Sequence, residues 1–385
     1  MKTLENQGSF RLLFAVVALT LGGSAWASGY DAYYSNSPTA WYDAVAELEY
    51  FNPSLTPAWQ LNETCDDTGY FSVASYNIFH NVPFVYDFGD EMEQSLGKVT
   101  KCADVVLYQE AWDYDDIIQD GPKQNMAARG FNLLTPTGYY CDDTWGGIEN
   151  DCSGLMMFYK SGTTLVKELT LQPFTDSNGA DIHKEKGVWG AIFAKAGKYY
   201  YVFDTHFTYG NKGHLEGDAA SDASRISNMK QSLAYIRNQV TANQLSYPPS
   251  LVLFGGDFNS DFTSTHSYSR GYQLLVQAAA QTYFYEPYAY SMMNAVMGGY
   301  ETPGFQSNWV GGTVDTGPNG MATGEKADYD AVLVGKPGAF GQCAPIELSY
   351  SGWAPAWKTT AGVRKWPFYT HSDHYGRWIR VKPGC

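Results

Sequence analysis

The stretch Ser250-Leu251-Val252-Leu253-Phe254-Gly255-Gly256-Asp257-Phe258-Asn259 decides how this chain is read. A short apolar run bounded by turn-forming and polar residues predicts a buried strand, too short for a core helix. Two glycines, an acid and a carboxamide then follow, where the chain leaves the sheet. The same order recurs along the sequence. Phe71-Ser72-Val73-Ala74-Ser75-Tyr76 ends on Asn77, and Val105-Val106-Leu107-Tyr108 ends on Gln109-Glu110. Tyr199-Tyr200-Tyr201-Val202-Phe203 ends on Asp204-Thr205-His206. Asp330 opens Ala331-Val332-Leu333-Val334, and His371-Ser372-Asp373-His374 precedes the last apolar stretch. Leu155–Tyr159 and Val188–Phe193 are further strand candidates, and Lys195-Ala196-Gly197-Lys198 predicts a hairpin loop.

Helical periodicity lies between these runs. Asp218 to Asn238 sets Ala223, Ile226, Met229, Leu233 and Ile236 on one stripe, and Gly271 to Ala280 is a second candidate helix. Strands alternating with helices predict an α/β fold, two packed sheets with helices outside. No linker, repeat or long charge block divides the sequence, so a single domain is expected over 70–385. Residues 28–69, rich in Tyr, Trp, Asn and Pro, read as an amino-terminal arm.

Lys2 and Arg11 precede the apolar run Leu12–Leu19, and small residues end in Ala25-Trp26-Ala27. That order predicts a signal peptide over 1–27, cleaved near Ala27, and a secreted protein. The run is shorter than the about 20 residues a membrane span takes. The six cysteines, Cys65, Cys102, Cys141, Cys152, Cys343 and Cys385, form an even set without paired CxxC spacing. In an exported chain this favours disulfides over zinc. Cys141–Cys152 is a candidate loop staple, and Cys343–Cys385 a candidate tie for the carboxyl terminus. The net charge of −15 disfavours nucleic acid as partner, because counterion release wants a basic face. Tyrosine (30) and tryptophan (11) are abundant, and both suit a wet-to-apolar boundary.

Asp or Asn after one strand usually caps a turn. Six strand ends carrying only carboxylate, carboxamide and imidazole groups point to shared chemistry instead. Oxygen donors without thiolates suit a hard cation such as Mg²⁺. Imidazoles beside such an ion suit proton transfer or stabilisation of phosphoryl charge. Asp257 is placed to orient an attacking water and Asn259 to donate to phosphoryl oxygens, the inventory of metal-assisted phosphate ester hydrolysis. No G-x-S-x-G elbow supports a serine hydrolase.

Ser75-Tyr76-Asn77, Gln109-Glu110, Thr205-His206, Gly256-Asp257-Phe258-Asn259 and Ser372-Asp373-His374, in this order, resemble the endonuclease/exonuclease/phosphatase superfamily. The resemblance implies a four-layer αββα sandwich, the DNase-like fold, with the site at one end of the sheets. It further implies that Glu110 holds the metal with Asn77 and Asp373 beside it, and that Asp257 and Asn259 align water and phosphate. His206 and His374 would serve the phosphate or proton transfer. Asp330 would orient the final histidine, with Asp328 as its rival.

Within the superfamily the chain is most similar to secreted bacterial sphingomyelinases, through Tyr76-Asn77-Ile78-Phe79, Gln109-Glu110-Ala111-Trp112-Asp113, Lys186-Gly187-Val188 and Ser372-Asp373-His374-Tyr375. Those enzymes cleave sphingomyelin to ceramide and phosphocholine. The segments Ser351 to Lys358 and Arg364 to Tyr369 fall where that family carries a membrane-touching aromatic hairpin, which makes Trp353, Trp357, Trp366 and Phe368 candidate membrane contacts. The implied partner is a membrane bearing sphingomyelin or a related choline phospholipid. Tyr114 stands where the family's edge metal site has Asn, with Asp113, Asp115 or Asp116 as substitutes and Glu149 and Asp151 as further candidate ligands. The alternatives are a secreted deoxyribonuclease of the same superfamily and, in a different class, a non-enzymatic membrane-binding toxin.

Overall fold

The central strands are buried on both faces, with apolar layers to either side, and that burial builds the molecule. The structure is a computed structural model describing residues 65, 68–80, 102–111, 126–138, 153–176, 185–209, 219–260, 262, 270–285, 311–312, 326–327, 330–353, 356–358, 368–370 and 376–385. The strands are β1 (Phe71–His80), β2 (Val105–Ala111), β3 (Phe131–Leu134), β4 (Met156–Lys160), β5 (Thr164–Pro173), β6 (Gly187–Lys195), β7 (Lys198–His206) and β8 (Pro249–Asp257). They continue as β9 (Phe284–Tyr285), β10 (Gly311–Gly312), β11 (Lys326–Ala327), β12 (Asp330–Gly335), β13 (Pro345–Trp353), β14 (Ala356–Lys358), β15 (Phe368–Thr370) and β16 (Gly376–Pro383). Helix α1 spans Ala219–Asn243 and α2 Arg270–Gln277.

Two mixed six-stranded sheets result, ordered β13-β16-β1-β2-β4-β3 and β5-β6-β7-β8-β12-β9. Between them lies one apolar layer, with Val73, Leu107 and Ile379 from the first sheet against Trp189, Val202 and Leu253 from the second. Residues of opposite parity on the second sheet, among them Phe203, Phe254 and Leu333, pack instead with Met229, Leu233 and Ile236 of α1 and Leu274 of α2. The outward-facing Tyr76, Tyr108 and Phe158 of the first sheet are buried as well. The fold is α/β, as the strand runs predict.

The hairpin between β6 and β7 turns through Ala196 (φ 51°) and Gly197 (φ 75°). Positive φ at both central residues is the turn that matches strand twist. Helix α1 departs from its expected stripe. It runs on to Asn243, and Ala223 is exposed while Ser221, Arg225 and Asn228 are buried. The first turns of α1 cover polar backbone after β7, so their buried face is polar and hydrophobic periodicity cannot find it.

Among the described residues two disulfides close the fold, Cys65–Cys102 ahead of the first two strands and Cys343–Cys385 at the carboxyl end. The second spans 42 residues in sequence. Replacing both Cys343 and Cys385 by serine is expected to cost about 2–5 kcal/mol. A lowered urea midpoint checks this; an unchanged midpoint would deny the bridge a stabilising role. The expected signal peptide, most of the amino-terminal arm, and Cys141 with Cys152 lie outside the described residues.

Candidate active site

Each central strand changes character on its inner face near one end. Along β1 the inward residues Phe71 and Val73 give way to Ser75 and Asn77, and along β2 Val105 and Leu107 give way to Gln109. In the facing sheet Val202 is succeeded by Asp204 and His206, and Leu253 by Gly255 and Asp257. Asp330 opens β12 in register with Asp257, and His206 pairs with Asp257 on the other side. Parallel β1–β2 and β7–β8 pairing brings these carboxyl-terminal ends together. All of these side chains are buried polar groups, which are costly unless they pair.

Glu110 reaches the site by breaking the rule of alternation. The preceding residue Gln109 faces inward, so a regular strand would send Glu110 to the opposite face. Its backbone instead adopts φ 57°, in the left-handed region, which costs a non-glycine residue of order 1–3 kcal/mol. The turned carboxylate accepts a hydrogen bond from Asn77 Nδ2 at 3.0 Å, and the same nitrogen donates to Asp257 Oδ2, also at 3.0 Å. Asn77 therefore bridges the two sheets and holds two carboxylates together, offering them its amide nitrogen.

His206 Nε2 lies 3.5 Å from Asp257 Oδ2 and 3.7 Å from Glu110 Oε1. One ligand atom each from Glu110, His206 and Asp257 falls within a mutual distance of 4.8 Å. Lys186 Nζ sits 2.9 Å from the same Nε2 and donates to the Phe207 carbonyl at 2.8 Å. An ammonium has only donors, so next to Lys186 the Nε2 atom is placed to accept. Two carboxylates and a carboxamide, gathered without a thiolate, match the donor set a hard divalent cation takes.

The surrounding backbone is fastened tightly. Asn259, at φ 46°, donates its own N–H to Asp257 Oδ1 at 2.8 Å and its side-chain amide to Phe207 O at 3.0 Å. Gly256, at φ 140°, admits no side chain, because a Cβ there would lie 2.0 Å from Thr205 O. Thr208 is held by Asn228 and Arg225 of α1. This explains Phe207-Thr208 after the histidine, since Phe207 packs edge-on against Phe258 and Thr208 docks the helix.

The structure thus brings together Asn77, Glu110, His206, Asp257 and Asn259, with Asp330 at the adjacent strand position. Asp330 is buried on the inner face, whereas Asp328 lies outside the described residues, as do Asp373, His374 and Trp366. The edge-site candidates Asp113, Tyr114, Asp115, Asp116, Glu149 and Asp151 lie outside them too. The backbone of Trp357 and Phe368 belongs to a separate two-stranded ribbon, in which Trp357 faces Tyr369 and Lys358 faces Phe368. Trp353 ends β13 opposite Gly376.

Three further residues from the same motif stretches join the site without a role assigned to them from the sequence. Lys186, of the Lys186-Gly187-Val188 stretch, precedes β6, and the structure sets it beside His206. Gln109 and Asp204 meet across the sheets, Gln109 Nε2 donating to Asp204 Oδ1 at 2.6 Å. Burial pushes the Asp204 carboxyl well above the usual carboxylate range; the hydrogen bonds from Gln109 and Thr205 oppose this and the nearby Asp330 charge adds to it.

No protein-family model and no curated protein matches the sequence. Solved structures do. Sphingomyelinase C from Streptomyces griseocarneus matches with a TM-score of 0.53 at 18% identity, over 81% of this chain and 99% of its own. Beta toxin from Staphylococcus aureus gives 0.53 at 16% identity, over 80% and 99%. A mutant of that toxin with bound magnesium ions gives 0.53 at 16%, over 81% and 99%. At such identities the likeness is one of fold. This chain has the DNase-like fold of the endonuclease/exonuclease/phosphatase superfamily, in the form seen in bacterial sphingomyelinase C and beta toxin.

Proposed function

We propose that this protein is an exported, Mg²⁺-dependent phosphodiesterase that hydrolyses sphingomyelin, or a related choline phospholipid, to release phosphocholine. The observation that carries the reading is the cluster of Asn77, Glu110, His206 and Asp257 at the ends of four strands drawn from both sheets. Glu110, with Asn77 and Asp373 beside it, would hold the divalent ion, and a neighbour of like fold carries magnesium. When bound, the ion supplies Lewis-acid charge at the phosphoryl oxygens. Asp257 orients the attacking water and takes its proton. Asn259 has a second amide N–H beyond the one on Phe207, and that group donates to the phosphoryl oxygens. Neutral His206 contacts the phosphate, while His374, oriented by Asp330, serves as the second imidazole.

The lipid substrate is favoured by the acidic net charge and by the aromatic ribbon leading to His371-Ser372-Asp373-His374. The test sets sphingomyelin vesicles beside plasmid DNA, each with Mg²⁺ and with EDTA. Phosphocholine release that EDTA abolishes is the expected result. Nicked DNA with intact lipid would instead identify the deoxyribonuclease, and vesicle binding without turnover the toxin. Trp353→Ala combined with Trp357→Ala is expected to weaken vesicle binding while sparing a soluble phosphodiester, measured by vesicle sedimentation and initial rates. Normal sedimentation of that double variant would remove the ribbon from the lipid argument.

A further inference from the structure

We infer that Gln109 and Asp204 form a positioning pair that holds Glu110 in its left-handed conformation and thereby sets divalent-ion affinity. The inference rests on the reading above that Glu110 holds the ion.

Glu110 is useful only because its backbone turns against the strand, and that turn is unfavourable for a side chain with a Cβ. Something adjacent must over-determine it. On its carboxyl side, Ala111 N–H donates to Gly154 O at 3.0 Å. On its amino side, the fixed point is the Gln109 side chain, which is fully buried and reaches across to the other sheet. Its Nε2 donates to Asp204 Oδ1 of that sheet at 2.6 Å and to Ser75 Oγ on β1 of its own sheet at 3.3 Å. Asp204 is itself fixed, since the same oxygen accepts from Thr205 N–H at 2.8 Å and the residue is wholly buried in β7.

The pair therefore joins the residue immediately before Glu110 to the residue two before His206. It sits one layer beneath the site, between the apolar core and the Asn77–Glu110–Asp257 cluster. Asn77 spans the same two sheets but touches Glu110 directly, so it cannot fix the Glu110 backbone independently of the carboxylate. Gln109 can, because its anchor lies on the opposite sheet. Removing the anchor lets Gln109 and Glu110 relax toward regular strand geometry, which carries the Glu110 carboxylate away from Asn77. Supporting partners of metal-binding groups typically matter by about 10- to 100-fold in affinity.

The experiment measures Mn²⁺ binding by the electron paramagnetic resonance of the free ion, alongside near-UV circular dichroism. Gln109→Asn keeps an amide but is one methylene too short to reach Asp204, and is expected to weaken binding about tenfold. Asp204→Asn keeps an acceptor at the same place and is expected to stay within about threefold of the parent. Asp204→Ala removes the acceptor and leaves Gln109 intact; it is expected to match Gln109→Asn and serves in its place should that variant lose its near-UV signal. Glu110→Gln is the control for the underlying reading and is expected to abolish binding. Undiminished Mn²⁺ binding in Glu110→Gln overturns the metal assignment itself. Loss in Glu110→Gln together with parental affinity in Gln109→Asn or Asp204→Ala overturns the positioning pair alone.

Discussion

Asp257→Asn is expected to lower kcat on sphingomyelin by about a thousandfold, within the range that general-base groups supply. The carboxylate is buried, and both its oxygens are addressed by donors, Oδ1 by Asn259 N–H and Oδ2 by Asn77 Nδ2. Those contacts fix its orientation and leave it the atom best placed to accept a proton from water. Asparagine matches its shape but cannot accept that proton. Vesicle binding should persist, because Asp257 lies at the sheet ends and not on the aromatic ribbon. Initial rates at saturating lipid, with vesicle sedimentation as the control, check both halves. A fall of less than about tenfold would mean that another group takes the proton.

Lys186→Met should reduce turnover by about a hundredfold and also alter its pH dependence. In the parent the ammonium opposes protonation of His206 Nε2 from 2.9 Å. With a neutral side chain of similar length, that nitrogen keeps the carboxylate oxygens at 3.5 and 3.7 Å without the ammonium beside it. Nearby negative charge favours the imidazolium. A charged His206 would pair with Glu110 and Asp257, competing with the cation at Glu110 and engaging the base at Asp257. Activity is therefore lost earlier as pH falls, and the acid limb of the pH–rate profile moves upward. Lys186→Arg, which keeps the charge, should leave that limb in place. An unmoved limb in Lys186→Met would sink the assignment of a neutral His206 to this lysine.

The legible part of the site was the part written at strand ends. Asn77, Glu110, His206, Asp257 and Asn259 each follow an apolar run closely, and hydrophobic patterning locates such runs well because burial on both faces leaves little choice of residue. Asp330 was legible for the same reason, and the register sets it opposite Asp257. Lys186 belongs to the Lys186-Gly187-Val188 motif, but its place beside His206 was not legible, because the sequence does not show which side chain a lysine will meet. Ser221, Arg225 and Asn228 escaped because a buried polar face has no apolar periodicity, although it is what docks α1 against Thr208.

Strand β2 separates the two sources of information most clearly. By itself the sequence determined that a carboxylate follows a buried strand, and that six such ends share one kind of chemistry. That much follows from composition and period, which the one-dimensional chain carries in full. Only the tertiary structure decided that Glu110 faces the site at all, because alternation alone sends it to the other side. The left-handed turn that redirects it has no propensity signal in glutamate. It persists through contacts on other strands, Asn77 on the carboxylate and Asp204 on the neighbouring Gln109, partners 33 and 95 residues away in sequence.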